Sequence, residues 1–226
     1  MHSSVNQSFR GFNEPFEGVV KYMYLDILGL VTVGVGNLID PISAALSLPF
    51  QYQNKPGIKT PEAPASRAVI EAEWKLLKSH QELAKLGHRA CKKFANLELS
   101  DDAIDNLIQQ RLLQNEAFLK RQKPFRDFDN WPADAQMAIL SMAWAMGPGN
   151  LHKWTLFAGA CERMDFDTAA DNCRIREAGN PGVIPRNKAN KHLFNNGASV
   201  LAGEADGFYQ ISTLYYPIWA MIPQVF

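Results

Sequence analysis

The pattern of apolar and polar positions predicts a β-hairpin near the start of the chain. Aromatic and β-branched residues surround a central glycine between Lys21 and Ile39, in the stretch KYMYLDILGLVTVGVGNLI. This pattern is typical of two strands that meet at a turn, here at Gly29. Gly34 and Gly36 are unfavourable in a regular strand, so they indicate a bulge or a close approach of the backbone.

After the hairpin, the pattern changes to that of helices. Residues 40–64 are rich in proline, and we expect them to form an irregular connection. Ser66 and Ser100 are positioned to cap two helices, the first of which should end at Gly87. A third helix, from about Pro132 to Met146, is apolar on nearly every side, which is typical of the buried centre of a domain. Shorter helices are predicted at Lys153–Arg163, Asp167–Arg176, Arg186–Asn195 and Ala198–Ala205.

A small hairpin followed by many helices predicts an α+β fold with a small N-terminal sheet lobe and a larger helical lobe. The length of 226 residues suits one compact domain. Within it we expect the hairpin lobe and connection over residues 12–64, a helical lobe over 65–205 and a C-terminal tail over 206–226. Four aromatic residues suggest that the tail is a strand or latch covering the helices: Tyr209, Tyr215, Tyr216 and Trp219.

Composition and charge argue against several classes of protein. The 23 basic and 23 acidic residues give a formal net charge of zero, which does not favour a nucleic-acid partner. No stretch approaches the ~20 apolar residues that a membrane span requires. The histidines lack the spacing of a metal site, so we expect no metal. Three widely spaced cysteines are predicted to be reduced thiols of the core, not disulfide partners: Cys91, Cys161 and Cys173.

Two carboxylates and one hydroxyl cluster around the predicted hairpin. Glu17 precedes it, Asp26 ends its first strand, and Thr32 lies on the return strand. A glycoside hydrolase needs one protonated carboxyl group for the leaving oxygen and a second carboxylate to direct a water molecule or trap the sugar. A hairpin that faces a helix end could hold such groups across a cleft. The spacing alone leaves a second interpretation open, that these are polar surface groups flanking a hairpin.

Residues 16–38 resemble the catalytic signature of the phage-type lysozymes (glycoside hydrolase family 24, the family of the T-even phage lysozyme). In that family the pattern is EG, followed by Y-x-D-x-x-G-x-x-T-x-G-x-G-H. FEG and YLDILGLVTVGVGNL keep this spacing at eight positions: Glu17, Gly18, Tyr24, Asp26, Gly29, Thr32, Gly34 and Gly36. Asn37 stands where the family often has histidine. Residues 12–200 resemble the family less specifically, with Arg186 matching a family arginine and Asn187 standing where a second basic residue is usual.

The resemblance implies a muramidase that cleaves the bond between N-acetylmuramic acid and N-acetylglucosamine in peptidoglycan, with inversion and without a cofactor. Glu17 would be the general acid, and we expect it to be partly buried so that it can hold a proton. Asp26 and Thr32 would hold the attacking water, and Asp26 would also stabilise positive charge at the anomeric carbon. The residues implied in substrate binding are Tyr24, Gly36, Asn37 and Arg186.

Pro15 departs from the family, which usually has an uninterrupted helix before the acid. A proline costs the interior of a helix roughly 3 kcal/mol outside its first turn. We therefore expect either a short turn that starts near Asn13 or a kinked helix leading into Glu17.

Two alternatives to a muramidase have different requirements. A lytic transglycosylase manages with a single essential acid, so Asp26 and Thr32 count against it. A non-catalytic cell-wall-binding module of a phage tail or contractile injection system would keep the fold and would need none of the three catalytic-type residues.

The expected partner is the peptidoglycan glycan strand, with neither nucleic acid nor a membrane span. A cognate immunity protein or an injection-machine spike is a further expected partner if the chain is a delivered effector. The segment MHSSVNQSFRGFNEPFEG has no apolar run of the kind found in a secretory signal peptide. We therefore expect synthesis in the cytoplasm and action on periplasmic peptidoglycan after release through a holin or after injection.

Overall fold

The computed structural model describes residues 1–54, 64–204 and 207–217. Residues 55–63 of the predicted connection, and Trp219 of the predicted tail, lie outside the described residues. The helices within these ranges are α1 (Ser3–Glu17), α2 (Ile42–Ala45), α3 (Arg67–Lys78), α4 (His88–Cys91), α5 (Asp101–Lys120), α6 (Ala133–Met146), α7 (Thr155–Glu162), α8 (Phe166–Asn172) and α9 (Ile184–Glu204). The strands are β1 (Val20–Leu25), β2 (Val31–Gly34), β3 (Asn37–Leu38), β4 (Gln51–Tyr52) and β5 (Leu97–Glu98).

The chain divides into two compact units. The sheet unit is Glu17–Ile108, and the helical unit combines Met1–Phe16 with the chain from Gln109 onwards. The structure therefore belongs to the α+β class that the sequence predicts. The predicted lobes meet at residues 64 and 65, whereas α3 belongs to the sheet unit. The assignment of the whole chain to one domain stays a prediction.

The sheet unit is built around the central strand β2. Antiparallel pairing of β1 with β2 sets Tyr24 opposite Thr32, which confirms the predicted hairpin around Gly29. All four residues of β2 are buried, because β1 and β3 flank the strand and α3 packs on the sheet. The pairing holds β2 firmly, so the side chains that it carries have fixed positions.

The two predicted serine caps are confirmed. Ser66 Oγ accepts a hydrogen bond from Val69 N–H at 3.4 Å, and Ser100 Oγ accepts one from Ala103 N–H at 3.2 Å. Each serine thereby satisfies one of the free N–H groups at a helix start. The first helix ends at Lys78 and not near Gly87 as expected. The chain leaves the helix at His80, whose ring stacks on Phe94 with centroids 4.4 Å apart.

The proline-rich stretch is more ordered than predicted. It contains the short helix α2 and the strand β4, which pairs Gln51 with Glu98 of β5. The prediction of an irregular connection is therefore wrong for these residues. Its partner strand lies more than forty residues further along the chain, so no local pattern indicates the pairing.

In the helical unit, α6 is the buried centre that the sequence predicts. Every residue from Ala133 to Trp144 is buried, and α6 packs against α9. Its buried Gln136 has hydrogen-bond partners within the unit: Nε2 donates to Phe128 O at 2.8 Å, and Oε1 accepts from His2 N–H at 2.7 Å. An aromatic cluster packs nearby in the same unit: Phe125, Trp131, Phe157, Phe166 and Phe194.

The two last predicted helices are one continuous helix, α9, so the predicted break near Gly197 is wrong. A Cβ atom at Gly197 would lie 3.0 Å from the Cβ of Ala135 in α6. Glycine is therefore needed here for the close approach of two helices, and it does not end α9.

The described part of the tail, residues 207–217, forms turns and contains no strand. It is held to the start of α6 by Asp134, which is fully buried. The Asp134 carboxylate accepts hydrogen bonds from Tyr215 N–H at 2.8 Å and from Tyr216 N–H at 3.0 Å. The tail thus acts as a latch on the helical unit.

The three cysteines are buried and form no disulfide, as predicted. Among the helices of the described ranges, none combines the length and the apolar character that crossing a membrane requires.

Candidate active site

Glu17 is the last residue of α1, which continues through Pro15. The alternative of a short turn starting near Asn13 is therefore wrong. Pro15 lies in the last turn, where its missing N–H removes one helical hydrogen bond. The helix tolerates this loss because Val5 and Phe9 are fully buried and anchor it. Glu17 is thus carried at the end of a well-anchored helix.

The side chain of Glu17 is exposed, in contrast to the expected partial burial. Gly18 ends the helix with a positive φ of 70°, a conformation that favours glycine. A Cβ atom at Gly18 would meet nothing within 4 Å, so the space beside the helix end is open.

Asp26 is fixed by the turn that joins β1 to β2. Its Oδ1 atom accepts hydrogen bonds from the N–H groups of Leu28 and Leu30, both at 2.9 Å. The main chain adds a bond from Asp26 N–H to Leu30 O at 2.9 Å. Among the described residues, no donor reaches Oδ2. The carboxylate is therefore rigid at one oxygen and available to a ligand at the other.

Thr32 lies on β2 and is only 4% exposed. Its hydroxyl donates to Leu30 O at 3.2 Å, so its proton is already used. The lone pairs of Oγ1 remain as acceptors, because a hydroxyl can donate once and accept twice. Thr32 is thus suited to accept a hydrogen bond from a water molecule.

Tyr24 links the predicted catalytic residues electrostatically. Burial, as the largest cause, together with the nearby charges of Asp26 and Glu17, raises the pKa of the Tyr24 phenol to about 12. Both carboxylates therefore act on the same phenol, which lies opposite Thr32 in the sheet. At neutral pH the phenol is protonated, so it can donate a hydrogen bond.

Val35 and Gly36 form the turn between β2 and β3, and Asn37 begins β3. Gly34 and Gly36 both have positive φ, at 69° and 79°, which explains the two glycines of the motif. The Asn37 Oδ1 atom accepts a hydrogen bond from Val35 N–H at 3.3 Å, so this side chain closes the turn. The roles of Gly36 and Asn37 in substrate binding stay predictions.

Arg186 belongs to the helical unit and is only 3% exposed. Its guanidinium group donates to Asn13 Oδ1 at 3.1 Å and to Ser141 O at 3.0 Å, and it lies over the Phe16 ring. The guanidinium group thus joins α9 to α1 and α6, and the role of Arg186 in substrate binding stays a prediction. The sequence cannot distinguish the two roles, because an arginine that binds sugar and an arginine that joins helices have the same local pattern.

Asn187, the neighbour of Arg186, also makes internal contacts. Its side-chain amide accepts from Ile175 N–H at 2.9 Å and donates to Ile175 O at 2.8 Å. It therefore fixes the chain after α8, a task for which an amide is better suited than a basic side chain.

His88 and Tyr22 are two residues beside the site that sequence reasoning missed. The Tyr22 hydroxyl lies 3.2 Å from His88 Nδ1. The imidazole centroid is 6.4 Å from the Tyr22 ring and 6.0 Å from the Tyr24 ring. The spacing of the two tyrosines along one strand is a signal for a shared face. No local signal points to His88, which lies 66 positions from Tyr22.

Comparison with protein-family models gives no match to this chain, and comparison with curated proteins gives none either. The resemblance to phage-type lysozymes therefore depends on the motif residues themselves.

Proposed function

We propose that the chain is a peptidoglycan muramidase of the phage-lysozyme type, cleaving the bond between N-acetylmuramic acid and N-acetylglucosamine. The observation that carries the proposal is the geometry of the hairpin. Its strands set Tyr24 directly opposite Thr32, its turn fixes Asp26 through the Leu30 N–H group, and it follows the helix that ends at Glu17. These residues hold the spacing of a glycosidase motif, and they gather around one hairpin.

In the proposed reaction Glu17 donates a proton to the glycosidic oxygen. A sugar bound over this exposed residue would displace water from its carboxyl group and bring the leaving oxygen within reach. Asp26 Oδ2 and Thr32 Oγ1 would accept hydrogen bonds from the attacking water, and the charge of Asp26 would stabilise the oxocarbenium-like transition state. Attack by water from the face opposite the leaving group inverts the anomeric configuration, and the proton that the water loses passes to the Asp26 carboxylate as the general base.

A second candidate function is a non-catalytic cell-wall-binding module. The exposure of Glu17 favours it, because a catalytic acid is usually partly removed from water. Such a module would bind insoluble peptidoglycan and release no new reducing ends from it. Measuring both binding and reducing ends therefore separates the two functions.

The first experiment measures lysis of Gram-negative cells whose outer membrane has been permeabilised, as the fall in turbidity of the suspension. Glu17→Gln should retain less than about a tenth of wild-type activity, a loss of more than roughly 1.4 kcal/mol in transition-state stabilisation. The matched control is Glu14→Gln, which changes another exposed carboxylate on the same helix and should lyse cells normally. More than a tenth of wild-type activity in Glu17→Gln would remove Glu17 from the acid role.

The proposed place of action is the peptidoglycan of the periplasm, reached by holin release or by injection after synthesis in the cytoplasm. If the chain is an injected effector, a cognate immunity protein would protect the producing cell. Such a partner would be expected to cover Glu17 and Asp26, because both must be accessible to substrate.

A further inference from the structure

A solvent-open cleft in the sheet unit lies beside the residues just described. Its volume is about 570 Å³, which is in the range of sites for small ligands. Polar and charged side chains dominate its lining: Lys21, Tyr22, Gln53, Asn54, Lys92 and Glu98. The cleft is therefore suited to a polar ligand that remains partly in water.

The charges in the cleft are of both signs. Lys21 forms an ion pair with Asp101, with Nζ and Oδ2 separated by 2.5 Å. Lys92 and Glu98 have no ion-pair partner within residues 1–54, 64–204 and 207–217. The cleft thus offers a bound molecule one available cation and one available anion.

Aromatic side chains connect the lining of the cleft to the residues of the candidate active site. Tyr22 lines the cleft and contacts His88, and the His88 ring also lies against Tyr24. Tyr24 in turn lies opposite Thr32 in the sheet and two positions before Asp26. A substrate held at the proposed catalytic carboxylates could therefore extend past Tyr24 and His88 into the cleft.

The available charges of Lys92 and Glu98 indicate which part of a peptidoglycan substrate the cleft could bind. The neutral sugar rings require neither Lys92 nor Glu98, and a polyanion would be repelled by Glu98. The stem peptide of Gram-negative peptidoglycan contains a diamino acid, diaminopimelate, whose far end carries an ammonium group and a carboxylate on one carbon. This zwitterion complements the two available charges, and the amides of Gln53 and Asn54 can hydrogen-bond a peptide backbone.

We propose that this cleft binds the zwitterionic end of the diaminopimelate residue, with Lys92 contacting its carboxylate and Glu98 its ammonium group. This proposal rests on the proposed function for its choice of substrate. Under this proposal, the sheet unit recognises the stem peptide and thereby contributes to substrate specificity. The residues of the cleft are separate from those that perform hydrolysis.

The test is an NMR titration of the full chain with the purified tripeptide L-Ala-γ-D-Glu-meso-diaminopimelate. The same tripeptide with L-lysine in third place lacks the far carboxylate and is the matched ligand control. Lys92→Glu and Glu98→Lys are the test variants. Lys93→Glu is the control variant, because Lys93 is the exposed neighbour of Lys92, does not line the cleft and changes net charge equally.

The wild type and Lys93→Glu should bind the diaminopimelate tripeptide with similar affinity. Each test variant should bind the diaminopimelate tripeptide about tenfold more weakly than the wild type does. The lysine tripeptide should bind the wild type about tenfold more weakly than the diaminopimelate tripeptide does. Equal affinity of all variants, or no binding by the wild type, would overturn the proposal. The tripeptide has no glycosidic bond, so this result is independent of whether the chain hydrolyses glycan strands, which is measured separately on stem-free glycan.

Discussion

Asp26 and Thr32 are joined through the backbone of a single residue, Leu30. The Leu30 N–H group donates to Asp26 Oδ1 at 2.9 Å, and its carbonyl oxygen accepts from the Thr32 hydroxyl at 3.2 Å. A shift of this peptide unit would move both side chains together. The two groups that we assign to the attacking water therefore form one rigid element of the hairpin.

Asp26→Asn should lower the hydrolysis rate by about a hundredfold or more, a loss on the order of 3 kcal/mol in transition-state stabilisation. The charge is lost, but the amide oxygen can still accept from Leu28 and Leu30. The melting temperature should therefore stay close to that of the wild type. Asp26→Ala should lower both quantities, because it leaves two turn N–H groups without their acceptor. Rates of reducing-end release and thermal unfolding measure the two effects, and near-normal hydrolysis by Asp26→Asn would exclude the assigned role.

Thr32→Val should be clearly impaired, whereas Thr32→Ser should retain most of the activity. Valine fills the buried position with nearly the same shape, so the comparison isolates the loss of the hydroxyl group. The expected difference in rate is about tenfold to a hundredfold, with kcat affected more than KM. Full activity of Thr32→Val would mean that the water is held in some other way.

The sequence predicts the parts of this structure that depend on local patterns. The hairpin follows from its aromatic and β-branched residues, and the caps at Ser66 and Ser100 follow from hydroxyl groups placed before helical stretches. The buried α6 follows from its nearly complete lack of polar residues. In each case the residues that cause the structure lie within a few positions of it.

The features that the sequence does not predict depend on contacts between distant positions. Gly197 looks like a helix end, but its contact with Ala135 makes it a packing residue. β4 forms only with β5 as its partner. The burial of Arg186 depends on Asn13 and Ser141. For the site, the motif named the residues around the hairpin, whereas the place of His88 beside the tyrosines follows from the fold alone.

Tyr24 gives a prediction for pH dependence. Burial, Asp26 and Glu17 raise its pKa from 10.0 to about 12, so the folded state keeps a proton that the unfolded state releases. The stability that this group contributes is complete below pH 10 and is lost as the pH rises from about 10 to about 12. Chemical denaturation across this window should show a steeper fall for the wild type than for Tyr24→Phe. Equal slopes would contradict the raised pKa.

The same phenol reports on the two carboxylates. Ultraviolet difference titration of each protein against its own Tyr24→Phe variant isolates this tyrosine among the six of the chain. Asp26→Asn and Glu17→Gln should each lower the pKa of Tyr24, because each removes a negative charge that opposes ionisation. An unchanged pKa in both variants would show that burial alone raises it.

Arg186→Ala should destabilise the protein by about 3 kcal/mol, because it leaves buried acceptors unsatisfied and creates a cavity. The KM for glycan should change little, since the side chain is buried. Arg176→Ala removes an exposed arginine and is the matched control, with an unchanged free energy of unfolding. A raised KM at unchanged stability would instead identify Arg186 as a substrate-binding residue.

The most direct test of the central claim is proton NMR of the first products released from purified glycan strands. In the proposed mechanism, a water held by Asp26 and Thr32 displaces the leaving sugar in one step, with Glu17 as the acid. The new reducing end, on N-acetylmuramic acid, should therefore be the α anomer when first formed, inverted from the β-linked substrate. A β product would contradict the single displacement, and a 1,6-anhydro product would identify a transglycosylase. If no new reducing end is released, the chain is not a muramidase, and the wall-binding module is the remaining function.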